Sequence, residues 1–434
     1  MHVNIVEVIL MKEYVKRVID LELDELLPCL PAIAFEGPKG VGKTATAKRR
    51  AKTVFRLDMP SERAIAEASP EQVLKGEFPV LLDEWQHVPT LWDAVRRSVD
   101  ENSIPGSFLL TGSAGPLLPP THSGAGRIVK LRMRPMTLSE RGLDTPTVSL
   151  KELLQGNKVD IYGKTNITLS DYVHEIVSSG FPGIRHLSGR SLRLQLDGYL
   201  RCIVDKDFVE QGYKVRKPKI LERWLRAYAA ATATTSSYET IRDATTGGEG
   251  HKPSKTVIHL YREILERLWI LDPVPAWITS RNYLNKLSHP PKHHLTDPAL
   301  AVQLLGLSKD ALLSGQETGL PIPKDGNLLG HLFESLVTLD VRVYAQAAEA
   351  EVSHLRQYSA RHEVDLIVER PDKRILAIEV KLGNSVDNVD VKHLLWLREQ
   401  LGDDLLDAIV IYTGPQAYRR KDGIAVIPAS LFGA

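Results

Sequence analysis

Gly37-Pro38-Lys39-Gly40-Val41-Gly42-Lys43-Thr44 decides how this chain folds. Before it stands the apolar run Ala32-Ile33-Ala34-Phe35, read as a buried strand. After it, residues 45–51 are rich in Ala, Lys and Arg and read as a helix. Strand, glycine-rich loop and helix in that order form a frame that cradles phosphate. The backbone N–H groups of such a loop must wrap closely around a pyrophosphate. Gly37, Gly40 and Gly42 supply the φ freedom and the close approach, and the helix start adds a favourable dipole. Lys43 is then placed to reach the β- and γ-phosphates and Thr44 to bind Mg²⁺, with Pro38, Lys39 and Val41 completing the cofactor-binding loop. A chance Gly-rich turn ending in Lys-Thr leaves the flanking strand and helix unexplained.

Phe78-Pro79-Val80-Leu81-Leu82-Asp83-Glu84 is an apolar strand ending in two carboxylates, as the far side of a Mg²⁺·ATP site requires. Asp83 would orient the metal and its waters, and Glu84 would polarise the attacking water. Alone, two acids at a strand end are a solvated turn; downstream of this loop, with room for one more strand and helix, they read as catalytic. A further strand, Ser107-Phe108-Leu109-Leu110-Thr111, runs into Gly112-Ser113. Either Thr111 or Ser113 senses the γ-phosphate there, or the strand simply ends in a turn. With strands at 53–57 and 128–133, five short strands alternate with helical stretches, which implies an α/β fold with its ligand at the carboxyl ends of a parallel sheet. Residues 13–30 read as a helix on the edge of this unit.

At 434 residues the chain is too long for one typical core, and two to four domains are expected. Lys plus Arg (55) nearly equals Asp plus Glu (54), which excludes a uniformly basic nucleic-acid coat and leaves contact with DNA or RNA to a local patch. Cys29 and Cys202 fit neither a zinc nor a disulfide pattern, and no apolar run approaches a membrane span, so a cytoplasmic protein with no membrane partner is expected.

The small-residue loop 121–127 ends in Arg127, and Gly124 and Gly126 let its backbone approach the nucleotide site. Arg127, and behind it Arg132, Arg134 and Arg141, are the candidates for the cation that completes the transition state, in cis or from a second copy of the chain. Pairing with surface acids is the plainer reading of any one of them. Beyond residue 145 the pattern turns helical, with clear pieces at 171–177 and 191–207 around the Gly180-Phe181-Pro182-Gly183 turn. Residues 219–277 hold two amphipathic helical stretches and the short apolar strand Leu268-Trp269-Ile270-Leu271, a winged-helix pattern. Lys214, Arg216, Lys217 and Lys219 flank it, as a DNA-backbone contact or as an ordinary solvated face.

The C-terminal part carries a second constellation. Arg361-His362-Glu363-Val364-Asp365-Leu366-Ile367-Val368 and Ile375-Leu376-Ala377-Ile378-Glu379-Val380-Lys381 read as two strands joined by a turn. Residues two apart in a strand face the same side, so Glu379 and Lys381 can share a site with Asp365 on the adjacent strand. Asp, then Glu-x-Lys, is the arrangement of a metal-dependent nuclease. Two carboxylates hold Mg²⁺ or Mn²⁺ against the scissile phosphate, and the lysine positions water or offsets developing charge. Glu334, on a helix at 330–344, stands where a further acidic ligand belongs. The alternative is a hairpin whose acids and lysine pair across the strands.

Taken together these residues resemble the bacterial and archaeal AAA-type ATPases that join an N-terminal P-loop domain to the C-terminal region called DUF4143. The resemblance is carried by the loop at 37–44, Leu82-Asp83-Glu84, Leu110-Thr111-Gly112-Ser113, residues 135–140, Gly180-Phe181-Pro182, Asp297-Pro298-Ala299-Leu300 and Glu379-Val380-Lys381. Gly183 stands where the family usually has an acid after Phe-Pro. The resemblance implies an AAA-type ATPase domain at 1–145, a helical lid at 146–215, a winged-helix-like domain at 216–300 and a restriction-endonuclease-like domain at 301–434. Two functions follow from it: an ATPase whose turnover gates a nuclease acting on DNA or RNA, or a nucleotide-controlled switch whose nuclease-like domain binds partners without cleaving.

Overall fold

The computed structural model describes residues 14–112, 123–156, 159–245, 253–278, 289–314, 327–357 and 362–434. Ser113 lies outside them. Strands β1 (Ala32–Glu36), β2 (Thr53–Arg56), β3 (Val80–Asp83), β4 (Phe108–Thr111) and β5 (Ile128–Arg132) form one parallel sheet in the order β2-β3-β4-β1-β5. Its central strands β3, β4 and β1 are largely apolar and buried because both faces are covered. Ile33, Phe35, Leu81, Leu109 and Leu131 turn one way into the main core. Ala32, Ala34, Val80, Leu82, Phe108, Leu110 and Ile128 turn the other way, onto a smaller cluster closed by Leu91, Trp92 and Val95 of the helix Thr90–Glu101. The five strands and their order of occurrence agree with the sequence reading.

The middle of the chain is helical. It includes Leu169–Ser178, Gly189–Cys202, a π-turn at Ile203–Asp207, Pro218–Ala230, Tyr238–Ala244 and Lys255–Arg267. A strand was expected at 268–271, but Leu268 caps the preceding helix and Trp269 sits at φ 61°. Pairing begins only at the bridges Leu271↔Leu295 and Val274↔Lys292, because the partner that makes this stretch extended lies some twenty residues further on.

Two motifs singled out by sequence meet here. Asp297 Oδ2 accepts from Ser179 Oγ at 2.6 Å and from the Gly180 backbone N–H at 2.8 Å, while its Oδ1 caps the helix Pro298–Leu305 through Ala299 N at 2.9 Å. The Gly180-Phe181-Pro182 turn is therefore a joint, with Phe181 buried and the Gly180 carbonyl accepting from Met136 N. A side chain at Gly183 would meet nothing within 4 Å, so an acid there is dispensable for packing.

The C-terminal sheet is mixed. After the short strand β6 (Val148–Ser149), strands β7 (Glu351–Arg356), β8 (Glu363–Glu369), β9 (Ile375–Lys381), β10 (Leu405–Tyr412), β11 (Tyr418–Arg419) and β12 (Ala425–Pro428) form a sheet in the order β11-β12-β10-β9-β8-β7. The long helix Asn327–Ala347 packs on β7, β8 and β9, and the helix Lys392–Leu401 on β8, β9 and β10. The final residues return to the start of the helical region, where Phe432 pairs with Val148. A single apolar cluster runs from Phe35 through Tyr172, Trp224 and Leu300 to Phe333 and Ile409. The chain thus shares one core across regions that its length suggested would be separate.

Asp272 joins the two sheets. It is buried, and Arg132 Nη2 (3.1 Å), Arg134 Nε (2.9 Å) and Arg342 Nη1 (2.7 Å) converge on its carboxylate. Burial alone would raise its pKa, but the three guanidinium groups hold it far below the usual carboxylate range. Removing that acid leaves three cations facing one another in a dry place. Asp272→Ala is expected to cost about 3–5 kcal/mol, read as a fall in the denaturation midpoint; an unchanged midpoint would show that the junction is not structural.

Candidate functional site

The P-loop leaves the carboxyl end of β1 and turns into the helix Lys43–Lys48. Gly37 has φ 145°, and a Cβ there would fall 2.2 Å from the Met133 carbonyl oxygen, so no side chain fits. Gly42 caps the helix at φ 109°, again outside the range comfortable for other residues. Lys43 is buried and its Nζ donates to the Gly37 and Pro38 carbonyls at 2.7 and 2.8 Å, which holds the ammonium inside the loop. Burial lowers its pKa to about 8, with Glu84 and Asp83 acting in the opposite direction.

The sheet register brings the opposite wall into place. Phe35, Thr111 and Asp83 are aligned across β1, β4 and β3 at the carboxyl edge. Asp83 Oδ1 accepts from Thr44 Oγ1 at 2.7 Å and from Thr111 Oγ1 at 2.5 Å. A hydroxyl and a carboxylate in contact are a fitting donor set for Mg²⁺, so Thr44 and Asp83 are the residues that would hold it. Glu84 follows at φ 57°, directing it away from the strand, and Gln86 Nε2 donates to its carboxylate. Thr111 thus joins the site by its contact with Asp83.

Other predicted members go elsewhere. β5 runs parallel to β1 with Ile128 beside Ala32, so Arg127 lies at the amino end of the sheet, a strand's length from the P-loop. It pairs with Asp100 at 2.7 Å, its side chain 46 % exposed, and in cis it does not reach the nucleotide edge. Arg132 and Arg134 are at the correct end but engage Asp272, and Arg141 pairs with Glu175 at 3.2 Å. Lys39 points out of the loop toward the helical region. Its Nζ meets Asp207 at 2.6 Å and Glu210 at 2.8 Å, and Tyr199 OH donates to its carbonyl at 3.2 Å. Burial works against the charged form of Lys39, yet the two carboxylates raise its pKa.

In the C-terminal sheet the predicted set does come together. Asp365 Oδ2 accepts from Val380 N at 2.9 Å, and Lys381 Nζ lies 2.9 Å from Glu379 Oε1. The pairs Leu355↔Val364 and Ser353↔Ile367 place an extra residue on β8 around Asp365, a bulge that re-aims its side chain. What the sequence did not announce is Lys292. Its side chain is 1 % exposed, and its Nζ lies 2.8 Å from Glu334, 3.1 Å from Asp365 and 3.6 Å from Glu363. The expected ligands Glu334 and Asp365 are therefore already bonded to an ammonium. Among the described residues no group of three His, Cys, Asp or Glu side chains is arranged to hold a metal ion. The residues present do not fit the nuclease metal.

The AAA domain family matches residues 30–141, and two families of unknown function, DUF8612 and DUF4143, match 169–311 and 329–432. The N-terminal unit has a parallel-sheet, P-loop NTPase-like fold and is similar to that AAA domain family. Uncharacterized proteins of Mycobacterium bovis and Mycobacterium tuberculosis are each 21% identical over 406 residues, covering 92% of this chain and 80% of theirs. Among solved structures, a Walker-type ATPase of Pyrococcus abyssi is 16% identical with a TM-score of 0.38, covering 66% of this chain and 94% of its own. The ORC2 protein of Aeropyrum pernix is 15% identical with a TM-score of 0.27, covering 67% and 90%. The likeness to AAA domains rests on the family match over residues 30–141, with the strand order and the loop.

Of the residues that sequence reasoning missed, Arg17 was silent. Arg17 is buried beneath the P-loop, donating to the Val41 carbonyl at 3.1 Å and the Arg134 carbonyl at 2.8 Å and pairing with Glu140 at 3.0 Å. Nothing in its local sequence marks it. Arg342 had a signal, as a lone cation in the apolar stretch Leu336–Tyr344, and so had Asp272, an acid directly after Leu268-Trp269-Ile270-Leu271.

The Lys43 value lies below that of an ordinary lysine, so the free protein loses this proton as pH rises through about 8. A bound polyphosphate favours the charged ammonium and raises the value again. Nucleotide binding above pH about 8 is therefore expected to take up a proton. Calorimetry in two buffers of different ionisation enthalpy measures this, and proton release would contradict the assignment.

Proposed function

We propose that the chain binds Mg²⁺·ATP at the P-loop, hydrolyses it in the cytoplasm, and acts as a nucleotide-controlled switch. The observation that carries the reading is the meeting of the Thr44 and Thr111 hydroxyls on Asp83, beside the buried Lys43. Thr44 and Asp83 would hold Mg²⁺, which would offset the charge of the phosphate. Lys43 exchanges the Gly37 and Pro38 carbonyls for phosphate oxygens. Glu84 polarises a water for in-line attack, and Thr111 reports through Asp83 whether the γ-phosphate is in place.

Two contacts, one an ion pair and one a backbone hydrogen bond, carry that state outward. Lys39 ties the loop to the π-turn Ile203–Asp207, a local irregularity of the kind often found at functional sites. Met133 N donates to the Glu36 carbonyl at 2.7 Å, between the two arginines that grip Asp272. The described residues hold no helix long and apolar enough to cross a membrane. The cation that completes the transition state is assigned to a second copy of the chain, since Arg132, Arg134 and Arg141 are engaged internally and Arg127 sits on the far edge. The exposed Lys214, Arg216, Lys217 and Lys219, before the helices and bridges read as a winged helix, are the surface proposed for DNA or RNA.

Lys43→Ala is expected to abolish nucleotide binding. Glu84→Gln is expected to keep binding but lower phosphate release by roughly 10²-fold or more, and wild-type turnover in that variant would remove Glu84 from its role.

A second reading, a restriction-endonuclease-like domain that cleaves nucleic acid, draws support from the shared placement of Asp365, Glu379 and Lys381. Lys292 weighs against it by bonding the acids a metal would use. Incubation of DNA and RNA with Mn²⁺ or Mg²⁺, with and without ATP, separates the two. The switch reading expects no cleavage, whereas cleavage lost in Lys381→Ala would establish the nuclease.

A further inference from the structure

We propose that Lys292 is the resident cation of the C-terminal acidic pocket, standing where a divalent metal would, and that it latches the 271–295 bridges onto the C-terminal sheet. The inference deepens the non-cleaving reading of this domain and does not depend on ATP turnover.

Three observations carry it. First, Lys292 is fixed at both ends. Its backbone exchanges two hydrogen bonds with Val274, each 2.9 Å, and its ammonium meets Glu334, Asp365 and Glu363 at 2.8, 3.1 and 3.6 Å. Second, those acids come from two elements, Glu334 from the long helix and Glu363 and Asp365 from β8, and the ammonium lies between them. Buried like charges this close repel unless neutralised. Third, the pocket has more acceptor than the lysine uses. Glu379 is 6 % exposed, its Oε2 is buried without a hydrogen-bond partner, and its charged neighbours are Asp365, Lys381 and Lys292. A compact ammonium on a long stem satisfies part of an oxygen cage whose remaining oxygen still faces inward.

A divalent ion coordinates carboxylate oxygens at roughly 2.0–2.6 Å and cannot share that centre with an ammonium. Lys292 therefore excludes the metal while it stays, and its buried stem leaves it no solvent-facing alternative. The latch also explains how Glu334 and Asp365 are held beside one another. Removing the lysine alone leaves Glu334 and Asp365 without their cation, and a divalent ion that draws the two carboxylates together would take its place.

The test is Mn²⁺ binding by electron paramagnetic resonance on the full chain without nucleotide, with unfolding midpoints and ATP turnover measured in parallel. Wild type and Asp365→Asn are expected to leave the same free Mn²⁺ signal. Lys292→Ala is expected to unfold at lower temperature, to regain stability in millimolar Mn²⁺, and to bind Mn²⁺ at least about tenfold more tightly than wild type, a gain lost when Asp365→Asn is added. Lys292→Met, which keeps the buried stem, serves if the alanine variant does not fold. The proposal is overturned if wild type binds Mn²⁺ at a site that Asp365→Asn removes, or if a folded Lys292 variant binds none. Absent ATP turnover in wild type would instead count against the P-loop reading alone.

Discussion

A buried carboxylate has to be neutralised where it stands, and in this protein Asp272 meets that requirement with three arginines from two separate parts of the chain. Two come from the end of β5 and the segment after it, and the third from the long helix that covers the C-terminal sheet. The same stretch of backbone serves the nucleotide site. Met133, between Arg132 and Arg134, lies against Gly37 so closely that no Cβ is tolerated there. Phosphate loop and domain junction are thus separated by one residue, and a displacement of either is felt by the other. Because the three arginine contacts lie on a buried Asp272, water screens them less than it would a surface pair.

Charge placement also distinguishes three lysines of otherwise similar chemistry. Lys43 is buried among carbonyl oxygens and is the cation most easily discharged. Lys39, four residues earlier in the same loop, faces outward to Asp207 and Glu210 and binds the loop to the helical region. Lys292 lies among carboxylates that the sequence offers to a metal. The partner set, and not the residue type, determines whether each lysine contacts phosphate, couples two elements or fills a pocket.

Much of the AAA-type unit was legible in the sequence because its signals are local. A strand followed by Gly-rich loop and helix, and an apolar strand ending in Asp83 and Glu84, are short-range patterns that the sheet only has to align. The C-terminal trio was legible for the same reason, since period-two alternation puts Glu379 and Lys381 on one side of β9 whatever they face. Arg127 was misplaced because the glycines around it indicate turn geometry but not the end of the sheet at which the turn lies; parallel pairing with β1 decides that.

The sequence by itself determined the phosphate loop, the acidic wall opposite it, the five strands and the acids and lysine of β8 and β9, all features encoded within a few residues. Tertiary structure alone decided which cations meet which acids. Lys292 is 42 residues from Glu334 and 73 from Asp365 along the chain, and Asp297 is 117 from Gly180. Nothing in local periodicity reports such distances. They are set when one continuous apolar core closes and leaves buried charges to be satisfied by whichever opposite charges the fold has brought within reach.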